Sequence, residues 1–258
     1  MDPTYNTLMA VSAGLGLVLI SVLFIRLDRG LTINRHGWAA VFVVLGAVLT
    51  ITGAHMSLTW PLSGPTAFDN IAFGEPSLAM GLLLIAGAVL LGGDRFWRDG
   101  TQIDQQDSRI SATSWPRLRA LLQPLSWFGL VMGFALIAIA FVGPVYEPWE
   151  APPQEPISGE FADQPVLENT FLAILYALTG VGAILLPFAL GRESLRRATG
   201  LLKGVAACWL VAGLVWTGFG VMNYYTHIGL TINTYKEEKA QEEAEPPAAN
   251  ERYGRPEP

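Results

Sequence analysis

The sequence predicts an all-α, polytopic membrane protein: six transmembrane helices in a bundle, with both termini outside. Three observations carry this. Hydrophobic residues make up 51% of the chain and charged residues only 15%, unlike an ordinary globular domain. The apolar residues gather into runs of about 18–25, the length that crosses a hydrocarbon core roughly 30 Å thick. Basic residues fall in alternate loops, the pattern that sets orientation in a membrane.

The first run spans Tyr5 to Ile25 and closes at Arg26-Leu27-Asp28-Arg29; Ser12, Gly14 and Gly16 within it are small enough for close helix packing. Met1-Asp2-Pro3-Thr4 lacks a basic segment, so this run is not expected to be a cleavable signal. The second run extends from Trp38 to Trp60, where Pro61 stops it. The third starts at Pro76, a residue suited to a first helical turn, and reaches Gly93. A polar segment from Asp94 to Pro116 follows. The fourth run, Leu121 to Val142, carries Gly129 and Gly133 as an expected packing face and is closed by Gly143-Pro144. The acidic, proline-rich stretch from Val145 to Glu168 reads as an irregular loop. The fifth run covers Thr170 to Leu190, and the sixth runs from Gly204 to Tyr225 and leads into His227. Residues 1–230 thus form a six-helix domain, and 231–258 an acidic Glu/Ala/Pro-rich tail, expected to be disordered from Lys236, with a short helical extension of the sixth helix before the disorder as the alternative.

Twelve of the sixteen Lys and Arg residues lie in the first, third and fifth loops, none lies in the second or fourth, and four lie in the tail. Retention of basic loops in the cytoplasm therefore places both termini outside. Trp38, Trp97, Trp115 and Trp127 then fall near the inner interface, and Trp60 and Trp149 near the outer one, as aromatic belts do. The inner arginines report topology and are candidates for contact with anionic lipid. The single cysteine, Cys208, lies inside a run and excludes an intramolecular disulfide.

A hairpin repeat is also legible. Trp60-Pro61 resembles Pro148-Trp149, and Glu75 and Glu168 each precede a glycine, Gly87 and Gly180, by twelve residues. The second and third helices would match the fourth and fifth, with the sixth and first forming a third hairpin. Likeness of apolar composition alone is the competing explanation.

The chemistry-bearing residues gather at the outer end. His55 lies roughly 7 Å below the exit of the second helix, and Thr52 and Thr59 share its face. The candidate outer pocket comprises His55, Thr59, Trp60, Asp69, Glu75, Glu168, Tyr225 and His227. Imidazole with carboxylate suits Zn, Fe or Cu, two histidines suit a haem iron, and an acid–His cluster suits proton relay or cation binding. No spacing is diagnostic: there is no His-x-x-x-His and no Cys pair, and His55 and His227 are 172 residues apart. The structural alternatives are that Glu75 and Glu168 with Asn169 cap helices, that His227 sits among headgroups, and that His55 bonds to backbone. His36, beside Arg35, reads as solvated. No nucleophile elbow and no phosphate-cradling glycine loop is present, so no enzyme class, metal or cofactor is assigned.

The string Gly53-Ala54-His55-Met56-Ser57-Leu58-Thr59-Trp60-Pro61-Leu62, with Phe68-Asp69-Asn70-Ile71-Ala72-Phe73-Gly74-Glu75-Pro76-Ser77, resembles a prokaryotic family of uncharacterised membrane proteins, the domain of unknown function 981, over about residues 5–230. The resemblance implies a multi-pass prokaryotic membrane protein and brings no activity with it. The expected function is that of an integral cell-membrane protein, an accessory subunit or small-ligand binder with a polar pocket at the outer face. The alternative is a redox or transport protein that binds haem, quinone or metal through outer-leaflet histidines and carboxylates. The expected partners are the lipid bilayer and other membrane-protein subunits, with no nucleic acid.

Overall fold

The computed structural model describes residues 6–93, 109–110, 115–191 and 195–244. Most of the polar segment Asp94–Pro116, and Glu245–Pro258 of the tail, lie outside the described residues. Among the described residues six helices are long and apolar enough to cross a membrane: α1 (Asn6–Asp28), α2 (Arg35–Thr59), α3 (Glu75–Gly92), α4 (Trp115–Tyr146), α5 (Pro165–Gly191) and α6 (Leu195–Ala244). The chain is an all-α, multi-pass protein of the cell membrane, as its sequence predicts. Successive helices run in opposite directions, so His55 and His227 mark one end of the bundle and Arg35, Arg119 and Lys203 the other.

Several helix ends differ from the hydropathy limits, each for a local reason. α2 begins at Arg35, because Asn34 caps it by accepting from the backbone N–H of His36 at 3.1 Å and of Gly37 at 3.2 Å. It ends at Thr59, two residues before Pro61, with Trp60 in the left-handed conformation (φ 47°) donating its N–H to Met56 O. α4 passes through Pro124 and Pro144, and closes only at Glu147 (φ 48°), whose N–H reaches Gly143 O at 2.9 Å. Pro144 removes one intrahelical donor, which one remaining turn tolerates. α3 is entered through a short π turn, Asn70–Gly74, rather than by a free cap. α6 is a single helix of 50 residues, well past the expected stop at Tyr225. At the arginine end two-residue strands, β1 (Ile33–Asn34) and β2 (Arg109–Ile110), pair antiparallel and tie the loop after α1 to the loop after α3.

The helices pack most closely in three pairs: α2 with α3, α4 with α5, and α6 with α1. Glycine allows each crossing. A Cβ on Gly81 of α3 would lie 2.8 Å from Gly46 O of α2, one on Gly180 of α5 would lie 2.8 Å from Gly133 O of α4, and one on Gly14 of α1 would lie 2.8 Å from Gly213 O of α6. Helices in lipid associate through such close van der Waals contact, because burial of apolar surface from water is not available to drive them together.

Two of these pairs are locked alike at both ends. At the histidine end the Asn70 side chain donates to Leu62 O at 2.8 Å and accepts from the Leu62 N–H at 3.3 Å. Asn169 does the same to Trp149, at 2.7 Å and 3.1 Å. At the arginine end Arg35 donates to Gly92 O at 3.0 Å, and Arg119 to Ala189 O and Leu190 O, both at 3.0 Å. The last carbonyls of α3 and α5 have no intrahelical partner, and the paired helix supplies one.

Candidate functional site

The residues expected to form an outer pocket are spread over the ends of α2 and α3, the α2–α3 and α4–α5 connections, and α6, with Glu168 close enough to Glu155, the neighbour of His227, for their charges to interact. His55 is exposed in the last turn of α2, and Thr59, also exposed, spends its hydroxyl on His55 O at 2.7 Å. Trp60 is half exposed at the end of α2, and Glu75 is exposed in the first turn of α3. Asp69 and Glu168 are half-buried where the α2–α3 and α4–α5 connections meet. The Asp69 carboxylate faces the Trp149 indole N–H without reaching hydrogen-bonding geometry, so Asp69 Oδ1 and Trp149 Nε1 are buried and unpaired. Glu168 faces the backbone N–H of Ala151.

A further cluster joins α1, α6 and the loop after α4. His227 Nδ1 meets Thr7 Oγ1 at 3.0 Å, and its Nε2 lies 3.6 Å from Glu155 Oε1. Tyr225, nearby on α6, is 66% exposed and points away from the bundle. The structure thus brings His227 to Thr7 and Glu155, two residues with no distinguishing sequence context. Among the described residues no group of three or more His, Cys, Asp or Glu is placed to hold a metal ion.

Below this layer aromatic rings close the bundle. Trp149 stacks on Tyr176 (centroids 5.9 Å apart, planes at 16°), and Tyr176 meets Trp216 edge-on at 5.5 Å. Tyr176 is buried and donates to Ala72 O at 2.8 Å, linking α5 to the π turn before α3. Beneath Tyr176 lies a cavity of about 220 Å³, walled mainly by α1, α3, α4 and α5. That is larger than the roughly 150 Å³ apolar cavity known to stay dry and to accept benzene.

The cavity wall is apolar in effect as well as in composition. Its polar side chains are largely used up: Ser126 donates to Gln123 O at 2.5 Å, Thr179 to Leu175 O at 2.8 Å, and Trp209 to Thr179 O at 3.0 Å. Gly87 of α3 and Gly129 of α4 both face it, and a Cβ on either would meet nothing within 4 Å. The Gly129/Gly133 pair therefore divides its work: Gly133 packs against α5, while Gly129 leaves space. Sequence reasoning missed this cavity. The one signal available, glycines in an apolar helix, reads equally well as packing.

The model of one family, described as protein of unknown function (DUF981), matches residues 1–229. No curated protein and no solved structure matches the chain.

Proposed function

We propose a ligand-holding role for this chain, which belongs to DUF981, a prokaryotic family of multi-pass membrane proteins: it keeps an apolar small molecule in the cavity between its helices. The observation that carries this reading is the cavity of about 220 Å³ whose polar groups are largely bonded elsewhere and whose wall is held back at Gly87 and Gly129. A glycine in mid-helix lowers helix stability by about 1 kcal/mol relative to alanine. At Gly87 and Gly129 a Cβ would meet nothing within 4 Å, so close approach of another helix does not call for glycine there, which is consistent with a space kept for an occupant. The interior supports binding better than the outer layer does, because His55 and Glu75 are exposed and His227 is engaged by Thr7 and Glu155.

The surrounding architecture belongs to the same proposal. Both termini lie outside, and the bundle is built from three like hairpins, α2–α3, α4–α5 and α6–α1. Matching locks support the repeat: Asn70 with Asn169, Gly81 with Gly180, Gly46 with Gly133, and Arg35 with Arg119. The same 21 residues separate Asn70 from Leu91 and Asn169 from Leu190. In this register, an offset of 99 residues, Asp69 matches Glu168; on the preceding helices the offset is 87 residues, shared by Gly46 with Gly133 and Leu62 with Trp149, and there Trp60-Pro61-Leu62 matches Glu147-Pro148-Trp149. That differs from the sequence pairing of Glu75 with Glu168 and of Gly87 with Gly180. Gly14 against Gly213 extends the set to the third hairpin.

The test is solvent extraction of the washed, detergent-purified protein, followed by mass spectrometry. One apolar compound close to equimolar with wild-type chain, and at least tenfold depleted from a folded Gly87→Leu variant, is the expected result. An empty wild-type protein, or equal content in the variant, rejects the reading.

A further inference from the structure

The shape and position of the cavity narrow what it holds. Its wall runs from Leu122 to Leu136 on α4 and from Tyr176 to Leu190 on α5. At 1.5 Å per residue each stretch is roughly 21 Å long, a large part of a hydrocarbon core about 30 Å thick. The lining therefore extends along the helices far enough to lie beside one extended hydrocarbon chain. The wall also offers few free hydrogen-bond donors, since Ser126, Tyr176, Thr179 and Trp209 all donate to backbone carbonyls.

An entrance is visible in the way the helices meet. α4 and α5 are closely packed, whereas α3 and α4 touch sparsely. Both sides of that seam face the cavity: Leu83 and Gly87 from α3, Leu125, Gly129 and Met132 from α4. Leu83, Gly87, Leu125 and Met132 are only half-buried. The absence of side chains at Gly87 and Gly129 leaves the seam open where it reaches the cavity.

We infer that the occupant is an acyl chain of a membrane lipid, admitted from the bilayer between α3 and α4. This inference rests on the ligand-holding reading above and names the ligand class for the same site. Trp209 and Trp216 are 6% and 7% exposed and line the cavity, so they report its contents, while Trp127, 47% exposed, reports the surrounding bilayer.

The experiment is tryptophan quenching by bromine carried in mid-chain on phosphatidylcholine, with the full chain reconstituted in vesicles of that lipid. The signal of the cavity pair is the difference between wild type and a Trp209→Phe/Trp216→Phe double variant. Quenching of that pair is expected, and it should fall at least twofold in Gly129→Leu, whose added side chain enters the cavity, while Trp127 stays quenched. If the double substitution does not fold, the same comparison is made with Trp216→Phe alone. Unquenched cavity tryptophans, or quenching that Gly129→Leu leaves unchanged, overturn the inference. Should an apolar compound still be extracted in that case, binding stands and the lipid chain alone is rejected; should none be extracted, both fall.

Discussion

Asn70 and Asn169 show how a single residue can hold a bend in the chain at a membrane surface. Each is 1% exposed, and each uses both halves of its amide, one on a backbone N–H and the other on a carbonyl. The backbone groups they satisfy follow Pro61 and Pro148, where the chain leaves a helix and its polar groups have no ladder to join. A buried group left unpaired costs about 1–3 kcal/mol. Asn70→Asp keeps the acceptor for Leu62 N–H but loses the donors to Leu62 O and Ala67 O, and turns a carboxylate oxygen toward both carbonyls. The expected outcome is a loss of about 1–3 kcal/mol, seen as a lower midpoint of thermal unfolding in detergent; Asn169→Asp should act alike. A midpoint equal to wild type would mean that these bonds add nothing net. The sequence marks Asn169 as a helix cap, but α5 begins four residues earlier, at Pro165, and Asn169 lies inside it; Asn70 carries no signal in the sequence.

At the scale of an element, α6 is the feature that departs most from its hydropathy. It continues as a regular helix past His227 to Ala244, and the loop after α4 is strapped to it. Asn233 donates to Gln154 O at 2.9 Å, Gln154 donates to Glu237 Oε2 at 2.9 Å, and a Cβ on Gly229 would collide with Pro156. Acidic composition alone suggests a solvated segment, but residues 228–237 have a docking surface. Two truncations separate the parts of the tail. Removal of Glu245–Pro258 is expected to leave thermal stability and loop protection unchanged. Removal of Thr231–Pro258 deletes both hydrogen bonds to Gln154, each worth about 0.5–1.5 kcal/mol. That should raise the opening of the loop roughly five- to a hundredfold, read as faster proteolytic cleavage between Gln154 and Ser158. Equal cleavage rates in the two truncations would show that α6 does not hold the loop.

At the scale of the whole molecule, orientation and interior are linked. The arginine end carries the basic loops, and two of those arginines, Arg35 and Arg119, also close the C-terminal ends of α3 and α5. They therefore have a structural role beyond the topology signal and the lipid contact expected of them. With both termini outside, a tag at the C-terminus should react with an impermeant reagent in intact cells, and a reporter after Leu190 should be active only in the cytoplasm. The reverse result at either site would invert the bundle. It would also place the layer of His227, Glu155 and Asp69 on the cytoplasmic side.

What the sequence by itself determined is the set of six membrane-crossing segments and which of their ends lie together. Partition into lipid is close to additive along one segment, so Trp38–Trp60 or Thr170–Leu190 can be judged without knowing its neighbours. Only the tertiary structure decided where the chain packs and where it is hollow. Gly129 and Gly133 are one helical turn apart in the same apolar run, yet one meets nothing and the other meets the backbone of α5. His55 and His227 look equivalent as polar groups near an exit, yet His55 is exposed at the end of α2 and His227 lies half-buried between Thr7 and Glu155. The physical reason is that a contact or a void belongs to two surfaces at once. Hydropathy is a property of one segment, whereas packing is set by the neighbour brought against it from elsewhere in the chain.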